Sequence, residues 1–322
     1  MDFFTHALLP YLLASSLGLK KRMVAALVLG GVAPDLDVFF SWAGSVLPAQ
    51  VLLVHRGIIH SFFFGALFGL LLLYLAALPQ FRGRLNDLDL DFSYRSLGLV
   101  WAGVILHLLL DYATTRGVPL FFPWHSLRYS ADLFYQIEPA ILAASILILL
   151  GLLRGWPARL QKKSIFIIFL VFLLLVGGIR TEGRCDAEEE FSGRKASIYP
   201  MPGLFSWIAL QEEADRYLIS RYDLTKGTVS STQAFPKLTA PSHLMEAEEA
   251  LDVADGLYPV KIFRWRAYAV AVDIISLQNN TWNIEYYDPL VRVQRDGYRS
   301  FLRAPYESLR VVVQGGIARV AE

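Results

Sequence analysis

Residues 97–115 read LGLVWAGVILHLLLDYATT, nineteen positions in which only His107 and Asp111 can carry a charge near neutral pH. A run of this length and apolarity fits a bilayer crossing, which takes about 20 residues. An aspartate at mid-span costs roughly 2.5–3.5 kcal/mol on insertion scales, so such a residue is usually kept for function. His107 and Asp111 stand four apart, which puts both on one helical face, where they can hold one ion. A buried ion pair or a proton relay is the plainer reading of the same pair.

Outward from this stretch, apolar runs recur at 3–18, 22–42, 59–79, 139–155 and 164–180. With 97–115 they read as an α-helical membrane domain of about six spans over residues 1–181. The first run is short and also admits a re-entrant helix. A cleaved signal peptide needs basic residues before its apolar run, whereas Lys20, Lys21 and Arg22 follow this one. Basic residues crowd alternate loops: 20–22, then Arg82, Arg84 and Arg95, then Arg154, Arg159, Lys162 and Lys163. The positive-inside rule puts those loops in the cytoplasm and everything after residue 180 outside.

Composition agrees. The 322 residues are 55% hydrophobic and 18% charged, against about 45–50% and 25% in soluble chains. Disorder, coiled coil and collagen are excluded, and an ordinary cytosolic enzyme is disfavoured. The net charge of +1 conceals a split, with 14 Lys/Arg and 9 Asp/Glu up to residue 181 but 16 and 20 after it. Residues 182–322 therefore read as a soluble, mainly β (α+β) extracytoplasmic domain. Strands are expected at 257–263, 266–274, 281–287 and 307–313, and a helix at 243–252. Glu182–Glu190 reads as a linker or a solvated start of that domain. Cys185 is the only cysteine, which removes an intramolecular disulfide or a cysteine zinc site. No nucleic-acid partner is expected.

Five of the six histidines lie in the first 125 residues, and most stand with acids in short clusters. These are His6, Pro34-Asp35-Leu36-Asp37, His55-Arg56-Gly57-Ile58-Ile59-His60, and His107 with Asp111. On the six-span scheme every cluster falls at the same membrane face, as does Glu138 before Pro139. Imidazole nitrogen mixed with carboxylate oxygen suits a divalent metal, Zn²⁺ first, with Mn²⁺ or Fe²⁺ as alternatives. His6, Asp35, Asp37, His55, His60, His107 and Asp111 are the expected ligands, too many for one catalytic zinc, which suggests one or two ions. Glu138 is expected as a ligand or general base. Arg56 is expected to bind the anionic head group of the substrate; a plain interfacial anchor is the blander reading of Arg56 and Arg116. His125 reads as an interfacial residue and His243 as a surface one. Gly65-x-x-x-Gly69 marks close helix packing, and Asn279-Asn280-Thr281 matches a glycosylation sequon.

Thr5-His6, Pro-Asp-Leu-Asp at 34–37, His-Arg-Gly-Ile-Ile-His-Ser at 55–61, His-Leu-Leu-Leu-Asp at 107–111 and the following Gly-Val-Pro-Leu…Pro-Trp resemble a bacterial inner-membrane metal-dependent hydrolase family, some members of which are described as LexA-regulated. The resemblance covers about residues 1–180. It implies a multi-span membrane protein with its metal site on the seven residues above, and Glu138-Pro139 matches the family's acidic-Pro pair. The leading expectation is a zinc-type hydrolase opening at the outer leaflet, acting on an ester or phosphodiester of a membrane lipid or lipid-linked substrate. The alternative is a proton- or metal-coupled transporter, which needs ionisable groups at several depths. A mere anchor for the C-terminal domain has no use for the His/Asp clusters.

Overall fold

A computed structural model describes residues 1–40, 55–82, 88–155, 162–241, 244–277, 281–296 and 307–321. The chain divides into two compact units, Met1–Thr181 and Glu182–Glu322. His243 and the Asn279-Asn280 pair lie outside the described residues.

Unit 1 is helical: α1 (Phe3–Ser16), α2 (Lys21–Val32), α3 (Phe62–Ala77), α4 (Tyr94–Tyr112), α5 (Pro139–Leu153) and α6 (Lys162–Glu190). Short 3-10 turns at Pro34–Phe40 and Ile58–His60 carry ligand-type residues between the longer helices. The expectation of about six spans is corrected here. Among the described residues only α4, at 19 residues, and α6, at 29, are long and apolar enough to cross a membrane. The apolar α3 and α5 have 16 and 15 residues. At 1.5 Å per residue they reach roughly 22–24 Å, short of a hydrocarbon core of about 30 Å. α1 and α2 are shorter still, at 14 and 12 residues, because Gly18 ends the first and the Pro34 turn follows the second. The loop alternation built on six spans falls with them.

Two glycines bring α2 and α4 together. A Cβ on Gly30 would lie 2.0 Å from the Val100 carbonyl oxygen, and one on Gly103 would lie 2.2 Å from that of Leu27. The two backbones touch, so the segment after α2 is delivered to the far end of α4. Leu8 and Leu12 of α1 pack with Phe169 of α6 in a separate cluster.

Among the described residues unit 2 holds two sheets and three helices. β1 (Ala196–Pro200), β2 (Ser206–Glu212), β3 (Arg216–Asp223) and β4 (Thr228–Pro236) form an antiparallel meander. The second sheet runs β5 (Leu238–Thr239), β6 (Ala271–Leu277), β7 (Thr281–Tyr287), β8 (Ser308–Gln314), β9 (Ile317–Val320), with β5 parallel to β6 and the rest antiparallel. α7 (Leu244–Asp255) and α8 (Tyr258–Arg266) cover one face of it, burying Ala250, Ala254, Val260 and Phe263 against Ile274, Trp282 and Ile284. α9 (Pro289–Asp296) contributes Leu290 and Val293 to a cluster with Ile208 and Ile219.

Three expectations for this unit change. The expected strand 257–263 is instead helix from Tyr258, because Pro259 suits a first turn and the buried Val260 and Phe263 are spaced by three. The strand expected at 266–274 begins only at Ala271. Of the two readings of Glu182–Glu190 the linker falls and the solvated start of the domain stands: it is the end of α6, its acids exposed, and it seats Ala187, with Phe191 just beyond, against Ile198, Trp207 and Tyr222.

Candidate metal centre

Each ligand-type side chain is set by a local device. Asp2 caps α1, accepting from the Thr5 amide at 2.9 Å and its hydroxyl at 2.8 Å. Thr5 in turn reaches Ser145 of α5 at 2.8 Å, fixing the turn that carries His6. Pro34 opens the 3-10 turn bearing Asp35 and Asp37. Ser61 caps α3 through the Phe64 amide at 3.2 Å and donates to the Ile58 carbonyl at 2.7 Å, holding the turn that ends in His60. α4 brings His107 and Asp111.

These devices converge on one buried cluster. His60 Nε2 lies 3.5 Å from both Asp35 Oδ1 and Asp111 Oδ2. His107 Nε2 lies 3.7 Å from Asp35 Oδ1 and 3.4 Å from Asp111 Oδ2. Four ligand-type atoms thus form a closed ring. His6 Nε2 sits 3.3 Å from Asp111 Oδ1, its ring stacked on His107 with centroids 3.7 Å apart. Two groups have ligand atoms close enough to share an ion: His6, Asp35, His107 and Asp111, and Asp35, His55 and His60. Asp35 belongs to both.

The donor set fits a metal. Tetrahedral zinc with bonds of about 2.0–2.1 Å separates its ligand atoms by about 3.3 Å, close to the spacing of this ring. His107 Nδ1 lies 2.8 Å from the Gly31 carbonyl oxygen, so it carries the proton and leaves a lone pair on Nε2 facing the cluster. His60 Nε2, His107 Nε2 and Asp111 Oδ2 are buried and make no hydrogen bond. Buried polar atoms are nearly always satisfied, and a cation among these three would satisfy all of them. Six of the seven expected ligands fall in the two groups. Asp37 stands beside them, 2.8 Å from His55 Nδ1 and 3.3 Å from His60 Nδ1.

The two other expected site residues have different surroundings. Glu138 is fully buried and accepts from Arg180 Nη2 at 2.7 Å, outside both ligand groups. Burial raises its pKa above the ordinary carboxyl value against the pull of Arg180. Arg56 is 2% exposed and bonds to Asp111, Thr114 and Thr115. The Met1 amino group also contacts Asp111 Oδ1. Sequence reading overlooked Arg180 and Arg128. Nothing in the sequence marked either, since an arginine at the end of an apolar run ordinarily snorkels to the interface.

The family model described as YdjM inner membrane protein matches residues 1–183, and the chain belongs to that family. With its two candidate spans this assigns the chain to the inner membrane. Neither the curated proteins nor the solved structures contain a match to this chain. Most of unit 2 lies beyond the family match.

Proposed function

We propose that unit 1 is a metal-dependent hydrolase, zinc-type with one or two ions, acting on an ester or phosphodiester of a membrane lipid or lipid-linked substrate. The observation that carries this reading is the ring of His60, His107, Asp35 and Asp111, closed at 3.4–3.7 Å, in which His60 Nε2, His107 Nε2 and Asp111 Oδ2 make no hydrogen bond. A bound metal would lower the pKa of a water and offset charge on a phosphoryl or acyl oxygen. His6, Asp35, His60, His107 and Asp111 would hold it, with His55 on the second group. His55 is 36% exposed while Asp37, His60, His107 and Asp111 are nearly closed off. Its exposure supports a role for His55 in meeting substrate. Glu138 is left out of the ligand set because Arg180 holds it.

The lipid assignment is supported by what flanks the ligands. Phe4, Val38, Phe39, Phe63 and Tyr112, each within three residues of His6, Asp37, His60 or Asp111 in the chain, are all exposed. Apolar surface on the segments that carry the cluster suits a substrate with an apolar tail. Orientation is part of the proposal. Arg154, Arg159, Lys162 and Lys163 lead into α6, so the positive-inside rule places that end in the cytoplasm and unit 2 outside. Arg95 at the start of α4 assigns the cluster at its other end to the same outer side.

The test is metal analysis of the purified protein beside a His107→Ala/Asp111→Ala variant, with fatty-acid and phosphate release from phospholipid vesicles measured on both. Loss of bound metal and of release, with the elution profile kept, is expected. Unchanged metal content in the variant overturns the site.

A further inference from the structure

Arg56 is the largest charged side chain at the cluster and is 2% exposed. Its guanidinium is divided among three partners: Nη2 donates to Asp111 Oδ1 at 2.6 Å, and Nη1 to Thr114 Oγ1 and the Thr115 carbonyl, both at 3.0 Å. All three belong to the end of α4 and the residues just after it. Thr114 is itself anchored, its hydroxyl donating to the Asp111 carbonyl at 2.9 Å.

The backbone around Arg56 is gripped in turn. Arg128 donates to the carbonyls of Arg56 at 3.1 Å, Arg116 at 3.0 Å and Gly117 at 2.7 Å. Arg56 and Arg116 both adopt left-handed φ values, 59° and 71°, which side chains rarely take unless their surroundings impose it. One arginine binds the two loops together; the other ties them to a ligand carboxylate.

We propose that Arg56 is a positioning residue: it occupies Asp111 Oδ1 so that Oδ2 turns to His60 and His107, and it does not contact substrate. This inference rests on the metal reading above. A grip on an anionic substrate would need a guanidinium edge turned to the mouth, whereas Arg56 is enclosed and spends both Nη atoms on the protein. The geometry is that of an outer partner that orients a metal ligand, the kind whose loss weakens metal affinity about 10–100-fold. A planar fork is required, because three acceptors lie around one guanidinium; lysine offers only a point charge.

The test uses the full chain in detergent, with zinc affinity read by competition against a chromophoric chelator. Arg56→Gln is expected to weaken zinc binding about 10–100-fold, with Arg56→Lys between it and the wild type. Arg56→Gln binding zinc as the wild type does overturns the proposal and leaves the metal reading standing. A second measurement removes zinc from the question. Melting temperatures in excess chelator are compared for Arg56→Gln, Asp111→Asn and the double variant. If Arg56 acts through Asp111, the double variant loses clearly less than the two single losses together; plain additivity overturns the proposal. A wild-type protein that binds no zinc overturns the metal reading, and the chelated cycle then decides the role of Arg56. Should Arg56→Gln fail to fold, Arg56→Lys takes its place in both measurements.

Discussion

Unit 1 and unit 2 differ in how many ionisable side chains they bury. In unit 1, His6, Asp37, Arg56, His60, His107, Asp111, Glu138 and Arg180 are buried, while Phe39, Leu147, Leu153 and Leu174 are 67–82% exposed. In unit 2 the buried side chains are Trp207, Ile208, Phe263, Ile284 and their neighbours, and Asp288 is the one buried charge among the described residues. Asp288 is also fully used, capping α9 at the Leu290 amide and accepting from the Tyr268 amide at 2.9 Å. Unit 2 obeys water. Unit 1 turns its apolar residues outward because its surroundings are apolar, so burying apolar area cannot be its main driving force. Close backbone approach, van der Waals packing in clusters such as Leu8, Leu12 and Phe169, and the polar cluster are left to hold it.

The strongest way to break that contrast is to part the backbones. Gly103→Leu puts a side chain where a Cβ alone would meet the Leu27 carbonyl oxygen at 2.2 Å and the Gly31 amide nitrogen at 2.7 Å. Neither can rotate away, so α2 and α4 must separate. The expected loss is at least about 3 kcal/mol, the upper end of the overpacking range, with loss of bound metal and of a monodisperse elution peak in detergent. Gly193→Leu in unit 2, where nothing lies within 4 Å of an added Cβ, is the control and should melt as the wild type does. Equal behaviour of the two variants would remove backbone contact as the basis of unit 1.

Metal removal should sharpen the contrast next. A ligand that binds the folded state at a thousand times its dissociation constant stabilises it by about 4 kcal/mol. Chelation is therefore expected to speed amide hydrogen exchange around 31–37, 55–61 and 104–114. Exchange in β6–β8 should stay unchanged, since no group able to share an ion is found there among the described residues. Uniform acceleration across both units would point to a general effect of the chelator.

The sequence disclosed these two physics unequally. The polar exceptions in an apolar background, His6, Asp35, His60, His107 and Asp111, were visible because insertion cost makes each of them conspicuous. Their pairing was not, since which atom of Asp111 faces His60 depends on Arg56, and no spacing rule relates residues 55 apart in the chain. Span counting failed because hydropathy reports apolarity and not helix length. The apolar run 22–42 is helix only to Val32 and then turns at Pro34. In unit 2, strict alternation made 281–287 legible as β7, whereas Leu-Tyr-Pro-Val-Lys-Ile-Phe at 257–263 alternates loosely and forms a helix. There Pro259 in the first turn outweighed the pattern, and packing against β7 decided it. Glu182–Glu190 suggested a linker through its charge, yet a helix can carry acids outward and still bury Ala187.

The smallest expected effect lies in unit 2, where one ionisable group is buried with its partner in place. Tyr286 on β7 is fully buried and donates its hydroxyl proton to Asp255 Oδ1 at 2.8 Å. Arg264 binds both oxygens of Asp255, at 3.0 and 2.9 Å, and its guanidinium lies 5.4 Å from the Tyr286 ring centroid. Burial first, then the hydrogen bond and charge of Asp255, raise the Tyr286 pKa above its ordinary value of about 10. The folded chain thus keeps a proton that the unfolded chain gives up as pH passes about 10. The stability this contributes is complete below that pH and falls as pH rises further, because the unfolded state then binds fewer protons. Tyr286→Phe loses one hydrogen bond, about 1 kcal/mol at neutral pH, and should show a shallower decline above pH 10. Melting of unit 2, followed by far-UV circular dichroism at the strand signal between pH 8 and 11, measures both. A decline in the variant as steep as in the wild type would place the alkaline weakness elsewhere. At the His/Asp cluster of unit 1 no such single-partner account is available, because Asp111 answers to His6, His60, His107 and Arg56 together. Tyr286 in unit 2 can be removed for the worth of one bond, whereas at the cluster each removal leaves several buried polar groups without their partner.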